Sequence, residues 1–236
     1  MRILRCRGIG ENPTGAGTML EGVTSQLSGY DVVEVPWAAD YGPVGNGGAL
    51  GIDYADSLAR GVPMVRSLLD VGPAILLGYS GGAELARMVS AIGHPHLRAA
   101  GFIADPAMPV GKGVPGRSGV TGHLYALPSV PMHWEYNPFD VICQCPADSP
   151  IRTISDISGR FSATNFPAWS WDMIDRLRSA RWQVLGKYLL ANPVQQWQRY
   201  SQAATDAIGY LNGSQHIAAY KGSHQTLLAE WVRSVT

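Results

Sequence analysis

Pro73-Ala74-Ile75-Leu76-Leu77-Gly78-Tyr79-Ser80-Gly81-Gly82-Ala83-Glu84-Leu85-Ala86-Arg87-Met88-Val89-Ser90-Ala91-Ile92 decides the fold. Residues 73–78 are a short, continuous apolar run, the pattern of a central parallel strand covered on both faces. Residues 81–92 read as a helix that starts on small residues. Gly78 to Gly82 between them form G-x-S-x-G, which in a strand-to-helix context is a nucleophile elbow. The turn is so sharp that the positions two before and two after the serine nearly touch, and only hydrogen fits as a side chain at Gly78 and Gly82. Ser80 is then lifted to the N-terminus of the helix, where free amides and the helix dipole favour a developing negative charge. The rival reading is an anion-binding glycine turn in which Ser80 only donates a hydrogen bond.

Working outward, the same alternation continues. Arg2 to Arg7 is a strand ended by Gly8, residues 18–28 a short helix, and Asp31 to Pro36 a valine-rich strand. A glycine-rich loop runs from Trp37 to Gly51. Residues 53–70 are an amphipathic helix carrying Ala55, Leu58, Ala59, Val62, Val65, Leu68 and Leu69, with a kink or break expected at Pro63. Residues 99–104 and 129–136 are further strands. Strand–helix alternation of this kind predicts an α/β fold, a mostly parallel sheet with helices on both faces. From about residue 150 the chain turns Trp-, Leu- and Gln-rich, with helices over 168–191 and 193–211. One domain over 1–236, with 150–212 as a mostly helical insertion, is the expected organisation. A last helix spans Gln225 to Val235, with Ser223 as its N-cap.

Composition limits the function. Charged residues are 15% of the chain, below the usual level of about 25%, and 18 basic residues balance 18 acidic ones. No basic run occurs, which argues against a nucleic-acid partner. A low-charge surface with 7 Trp and 10 Tyr suits a lipid or glycolipid instead, although each aromatic taken singly is more often core. No stretch reaches the ~18 apolar residues of a membrane span. The start, Met1 to Arg7, interleaves charge with apolar residues and so lacks the form of a secretory signal. Synthesis in the cytoplasm, with later access to the cell envelope by another route, is the expectation. Cys6, Cys143 and Cys145 make neither a disulfide framework nor a zinc set, since no second ligand pair accompanies the last two. No metal or cofactor is expected.

In an α/β hydrolase the acid and then the histidine follow the serine. Asp140 stands just past the strand 129–136 and is the preferred acid, with Asp148, Asp156 and Asp105 as competitors. His216 and His224 are the candidates for the base. His216 is favoured, because a loop position lets the imidazole reach both partners, whereas His224 begins the last helix.

Four segments, Arg7-Gly8-Ile9-Gly10-Glu11-Asn12, Gly78–Gly82, Tyr136-Asn137-Pro138-Phe139-Asp140-Val141-Ile142-Cys143 and His216-Ile217-Ala218-Ala219-Tyr220, carry a resemblance. In this order they resemble the cutinase-like serine esterases, and among them most of all the lysin B esterases of phages that infect mycobacteria. The resemblance implies hydrolysis of the ester between mycolic acid and arabinogalactan, with Ser80, Asp140 and His216 as the catalytic residues. It implies an oxyanion hole from the amide of Gly81 plus one from Ile9 or Gly10. Acid and base stand 76 positions apart, as in lysin B and unlike a plain cutinase. Cutinases carry Ser or Thr where this chain has Ile9, so a hydroxyl donor is missing and backbone amides must serve. A cutinase or lipase acting on smaller esters, a mycolyl or acyl transferase, and a non-enzymatic wall-binding module are the alternatives. Trp169, Trp171, Trp182 and Trp197 would line an acyl groove, or simply pack helices.

Overall fold

The computed structural model describes residues 1–42, 44–152 and 193–236. Five strands form a wholly parallel sheet: β1 (Arg2–Cys6), β2 (Asp31–Glu34), β3 (Ala74–Tyr79), β4 (Leu97–Ile103) and β6 (Met132–Glu135), in the order β2-β1-β3-β4-β6. Two short strands, β5 (Arg117–Ser118) and β7 (Cys145–Pro146), pair antiparallel apart from it.

The sheet works because alternate residues serve two cores. On one face Leu4, Cys6, Leu76 and Phe102 meet helix α2 (Tyr54–Asp70) and helix α3 (Gly81–Ile92) through Leu58, Val65, Leu69, Leu85 and Val89. On the other, Ile3, Ile75, Leu77, Tyr79 and Ile103 meet helix α1 (Met19–Thr24) and helix α5 (Ser223–Ser234) through Leu20, Val23, Leu228 and Val232. Helices therefore cover both faces, and all six residues of β3 are buried. This is an α/β architecture, a parallel sheet with helices on both faces. The chain enters at β1, adds β2 on one side and returns to add β3 on the other. That reversal between β1 and β3 opens a crevice at the carboxyl ends of the strands, where ligands of open α/β sheets bind.

Local chemistry explains most element ends. The Asp53 side chain accepts Asp56 N–H at 2.8 Å and starts α2. The Thr18 hydroxyl accepts Glu21 N–H and starts α1. Ser223 is the first residue of α5 and not its cap; instead the Gln225 side chain accepts the Gly222 N–H at 2.9 Å. Strand β6 is shorter than residues 129–136, and Pro131, with no N–H of its own, precedes it while its carbonyl accepts Ala100 N–H at 3.0 Å. Helix α4 (Pro193–Leu211) occupies the expected 193–211, while the helix expected over 168–191 lies outside the described residues.

Helix α2 does not break at Pro63. Pro63 and Ala59, one turn earlier, are both exposed, so the carbonyl that Pro63 leaves without a donor is open to water. Replacing Pro63 by alanine is expected to raise the unfolding free energy by about 1–2 kcal/mol. The gain combines alanine's helix preference of ~3 kcal/mol with the loss of proline's ~1 kcal/mol restraint on the unfolded chain. The check is a higher urea midpoint at unchanged slope; an unchanged midpoint would mean that the helix carries no strain at Pro63.

Candidate active site

Ser80 sits between β3 and α3 with φ +52° and ψ −126°, a backbone conformation that side-chain-bearing residues rarely adopt. It is held there from both sides. Its N–H donates to Ile103 O at 3.0 Å, and its carbonyl accepts Ala83 N–H at 2.8 Å. A Cβ at Gly78 would stand 2.5 Å from Ala83 Cα, and one at Gly82 would overlap the carbonyls of Cys6 and Arg7. Both glycines are thus required by backbone contact, the second by the docking of α3 against the end of β1.

The Ser80 hydroxyl lies 2.8 Å from His216 Nε2, and His216 Nδ1 lies 2.8 Å from Asp140 Oδ2. Asp140 is 0% exposed and His216 5%. Asp140 Oδ2 also accepts the Tyr220 O–H at 2.8 Å, and Oδ1 accepts Ile142 N–H at 3.0 Å. The Tyr220 hydroxyl in turn accepts Asn137 N–H at 2.9 Å and is 3.2 Å from Cys143 Sγ. Burial, then the nearby Cys143 and Asp140, hold the Tyr220 hydroxyl protonated far beyond its ordinary range. Burial and Asp140 do the same for the Cys143 thiol. With Asp140 Oδ2 accepting from Nδ1–H, the imidazole turns its Nε2 lone pair to Ser80. The imidazole also stacks on Tyr79, with centroids 5.5 Å apart, and meets the edge of Tyr210 at 5.0 Å.

The competing residues are engaged elsewhere. His224 Nδ1 is 2.7 Å from Glu135 Oε2, and His133 holds the other oxygen. Asp105 is buried, accepting Trp134 Nε1–H at 2.9 Å and Ala107 N–H at 2.8 Å beside the buried Arg87. Burial pushes its carboxyl up to about 7. Asp148 pairs with Arg199 at 2.7 Å, and Asp156 lies outside the described residues.

Beside Ser80, Gly81 is the first residue of α3, so its N–H has no intrahelical acceptor. The Ile9 side chain packs over it, since a Cβ at Gly81 would come within 2.8 Å of Ile9 Cγ1. Gly8 N–H donates to Glu11 Oε2 at 2.7 Å, and Gly10 N–H donates to Ala39 O at 3.1 Å. The Gly10 amide is therefore engaged by the neighbouring loop, and Ile9 is the one of the two expected donors that packs beside Gly81. Glu11 Oε1 accepts Met19 N–H at 2.7 Å, and Arg7 fans its guanidinium over the carbonyls of Glu11, Val35 and Trp37. These bonds fix the loop.

Sequence reasoning passed over Tyr79, Asn137 and Tyr210, whose placement beside His216 depends on tertiary packing. Trp169, Trp171 and Trp182 lie outside the described residues, and Trp197 stands in α4. Among the described residues no group of three or more His, Cys, Asp or Glu is placed to hold a metal ion, and no helix is long and apolar enough to cross a membrane. Cys6, Cys143 and Cys145 are free and buried.

No family model and no curated protein matches the chain. Among solved structures it is similar to a cutinase-like protein from Cryptococcus sp., at 15% identity over 91% of this chain and 94% of that one, with a TM-score of 0.43. The catalytic core domain of acetyl xylan esterase from Trichoderma reesei gives 16% identity, 67% and 89% coverage, and a TM-score of 0.43. A protein of the α/β hydrolase superfamily from Xanthomonas campestris gives 21%, 90% and 98%, and 0.39.

Changing Tyr220 to phenylalanine would leave the buried Asn137 amide without its acceptor and remove one of the donors to Asp140. A loss of about 1–3 kcal/mol in unfolding free energy is expected. The urea midpoint measures it, and a loss below about 0.5 kcal/mol would mean that another group takes over the hydroxyl's bonds.

Proposed function

We propose that the chain is a serine esterase with Ser80 as nucleophile, His216 as general base and Asp140 as its orienting acid. The observation that carries this is the continuous hydrogen-bonded line Ser80–His216–Asp140, 2.8 Å at each step, ending on a serine held in a strained turn. His216 Nε2 takes the Ser80 proton as Oγ attacks an ester carbonyl. The amides of Gly81 and Ile9 receive the oxyanion, each such donor typically being worth about 3 kcal/mol. Asp140 fixes the imidazole tautomer and stabilises the imidazolium. His216 then protonates the departing alcohol, and water attacks the acyl-enzyme through the same base. The cycle needs no metal or cofactor.

The substrate proposed is the ester joining mycolic acid to arabinogalactan in the mycobacterial type of wall, cleaved at the cell envelope during phage lysis. Support comes from the four sequence segments and their order, the wide spacing of acid and base, and the low charge of the chain. Phe139, 72% exposed, and Ile217, 48% exposed, flank Asp140 and His216, which suits a long apolar acyl chain.

Ser80→Ala is expected to abolish hydrolysis of a p-nitrophenyl ester with the fold intact, and retained activity would sink the esterase reading. His216→Ala should cost at least ~1000-fold in turnover; His224→Ala should cost far less, and the reverse order would move the base to His224. Incubation with delipidated mycobacterial wall should release free mycolic acids with the wild type and not with Ser80→Ala. Short-ester turnover without mycolate release would leave a cutinase- or lipase-like esterase, and transfer to an added alcohol would indicate an acyltransferase.

A further inference from the structure

His216 comes from a segment far along the chain from both of its partners, 136 positions from Ser80 and 76 from Asp140. No sheet strand carries it. Its own turn is built on the end of α4, through Gln215 N–H to Gly209 O at 3.3 Å and Ile217 N–H to Gly213 O at 3.0 Å. A base on such a turn keeps its 2.8 Å contact with Ser80 only if something ties the turn to the sheet.

Two side chains do this. Tyr79, the residue before the serine, donates its hydroxyl to the His216 carbonyl at 2.7 Å and lies flat against the imidazole, 25° from parallel. Asn137, three residues before the acid, donates its side-chain amide to Gln215 O at 2.9 Å and to Gln215 Oε1 at 2.8 Å. The same Asn137 accepts Phe139 N–H at 3.2 Å through Oδ1, shaping the turn that presents Asp140. The nucleophile strand and the acid turn thus each hold the base segment by its backbone, at His216 itself and at the residue before it.

We infer that Tyr79 and Asn137 are positioning residues for the base, which fix the 215–216 backbone so that Nε2 stays within reach of the Ser80 hydroxyl. Neither contacts Ser80 Oγ or Asp140 through its side chain in the hydrogen bonds described, so each acts through His216. The inference rests on the serine-esterase reading. Burial, with Glu11 and Asp140 nearby, pushes the Tyr79 hydroxyl far above its ordinary range, so it remains a donor throughout the working pH. A displacement of about 1 Å in a reacting group costs on the order of 100-fold in rate, so even a small shift of the turn on losing a tie would be read in turnover.

The test uses Tyr79→Phe, which keeps the ring and removes only the hydroxyl, Asn137→Ala, and the double variant. Turnover is counted per active site titrated with a fluorophosphonate. Expected is a loss of about 10- to 100-fold in kcat for each single variant, with KM within about two-fold. The double variant should lose less than the product of the two, because both ties hold one element. The downfield Nδ1–H proton resonance of His216 should be broadened by exchange in both variants and stay sharp in Ser80→Ala. Wild-type kcat per titrated site in both single variants would overturn the inference, as would a loss explained wholly by fewer titratable sites. An unchanged Nδ1–H resonance in both would overturn it even if the chain proved to hydrolyse no ester. Activity retained by Ser80→Ala would overturn the esterase reading instead, so the two failures are told apart.

Discussion

A backbone-to-backbone contact governs this molecule: the start of α3 rests directly on the carbonyls of Cys6 and Arg7 at the end of β1, with only the hydrogen of Gly82 between them. Because α3 comes so close, the chain leaving β3 must reverse within one residue, and that residue is Ser80 with its positive φ. The same contact brings the loop after β1 beside the first amides of α3, which is why Ile9 packs on Gly81. A Cβ at Gly82 would push the helix off the sheet, and Ser80, the helix N-terminus and the Ile9 loop would separate together. The site is thus a consequence of helix-to-sheet packing at the point where strand order reverses.

Around this contact the loops are fastened by buried and half-buried carboxylates. Asp140 gathers His216, Tyr220 and the Ile142 amide; Glu11 gathers the amides of Gly8 and Met19. Glu84, fully buried in the first turn of α3, accepts the hydroxyls of Tyr54 at 2.7 Å and Tyr125 at 3.0 Å and lies 2.5 Å from His123 Nδ1. Through it the loop over 107–128 and the start of α2 are both tied to the helix that follows Ser80. A buried carboxylate without donors costs several kcal/mol, so each of these groups selects the one loop arrangement that satisfies it.

The strand–turn–helix at 73–92 could be read from sequence because three independent signals coincide there: an apolar run, two obligatory glycines and a small-residue helix start. The parallel sheet and its two-sided cover follow from the alternation of elements; the strand order does not. Asp140 and His216 were legible as positions in a chain order, and the structure places both in hydrogen-bond contact with each other. Element ends were less legible. Pro63 marks a break by its local chemistry, but exposure of Ala59 and Pro63 to water removes the reason for one. Gly10 and Ile9 are equivalent on paper; only the carbonyl of Ala39, brought over from the loop after β2, separates them. Tyr79 and Asn137 stand within the motif segments but gave no signal of their role, because their partners lie 137 and 78 positions away and are backbone carbonyls, which every residue possesses.

Backbone strain in the described residues is distributed in a way that follows from the same packing. Three residues other than glycine have positive φ: Ala39, Ser80 and Ala104. Each lies beyond the carboxyl end of a parallel strand, β2, β3 or β4 respectively, on the edge where Ser80, His216 and Asp140 meet. Such conformations cost on the order of 1–3 kcal/mol apiece and persist only where surrounding structure over-determines them. Here hydrogen bonds to the sheet and its loops do so: Ala39 O accepts Gly10 N–H, Ser80 N–H donates to Ile103 O, and Ala104 N–H donates to Glu135 O. Two of these bonds shape the candidate site, since one commits Gly10 and leaves Ile9 beside Gly81, and the other holds Ser80 beside His216. A relaxed backbone at Ala39 or Ser80 would release those groups, so the two cores beneath the sheet do more than stabilise the fold. They hold its carboxyl edge in conformations that the chain would otherwise leave.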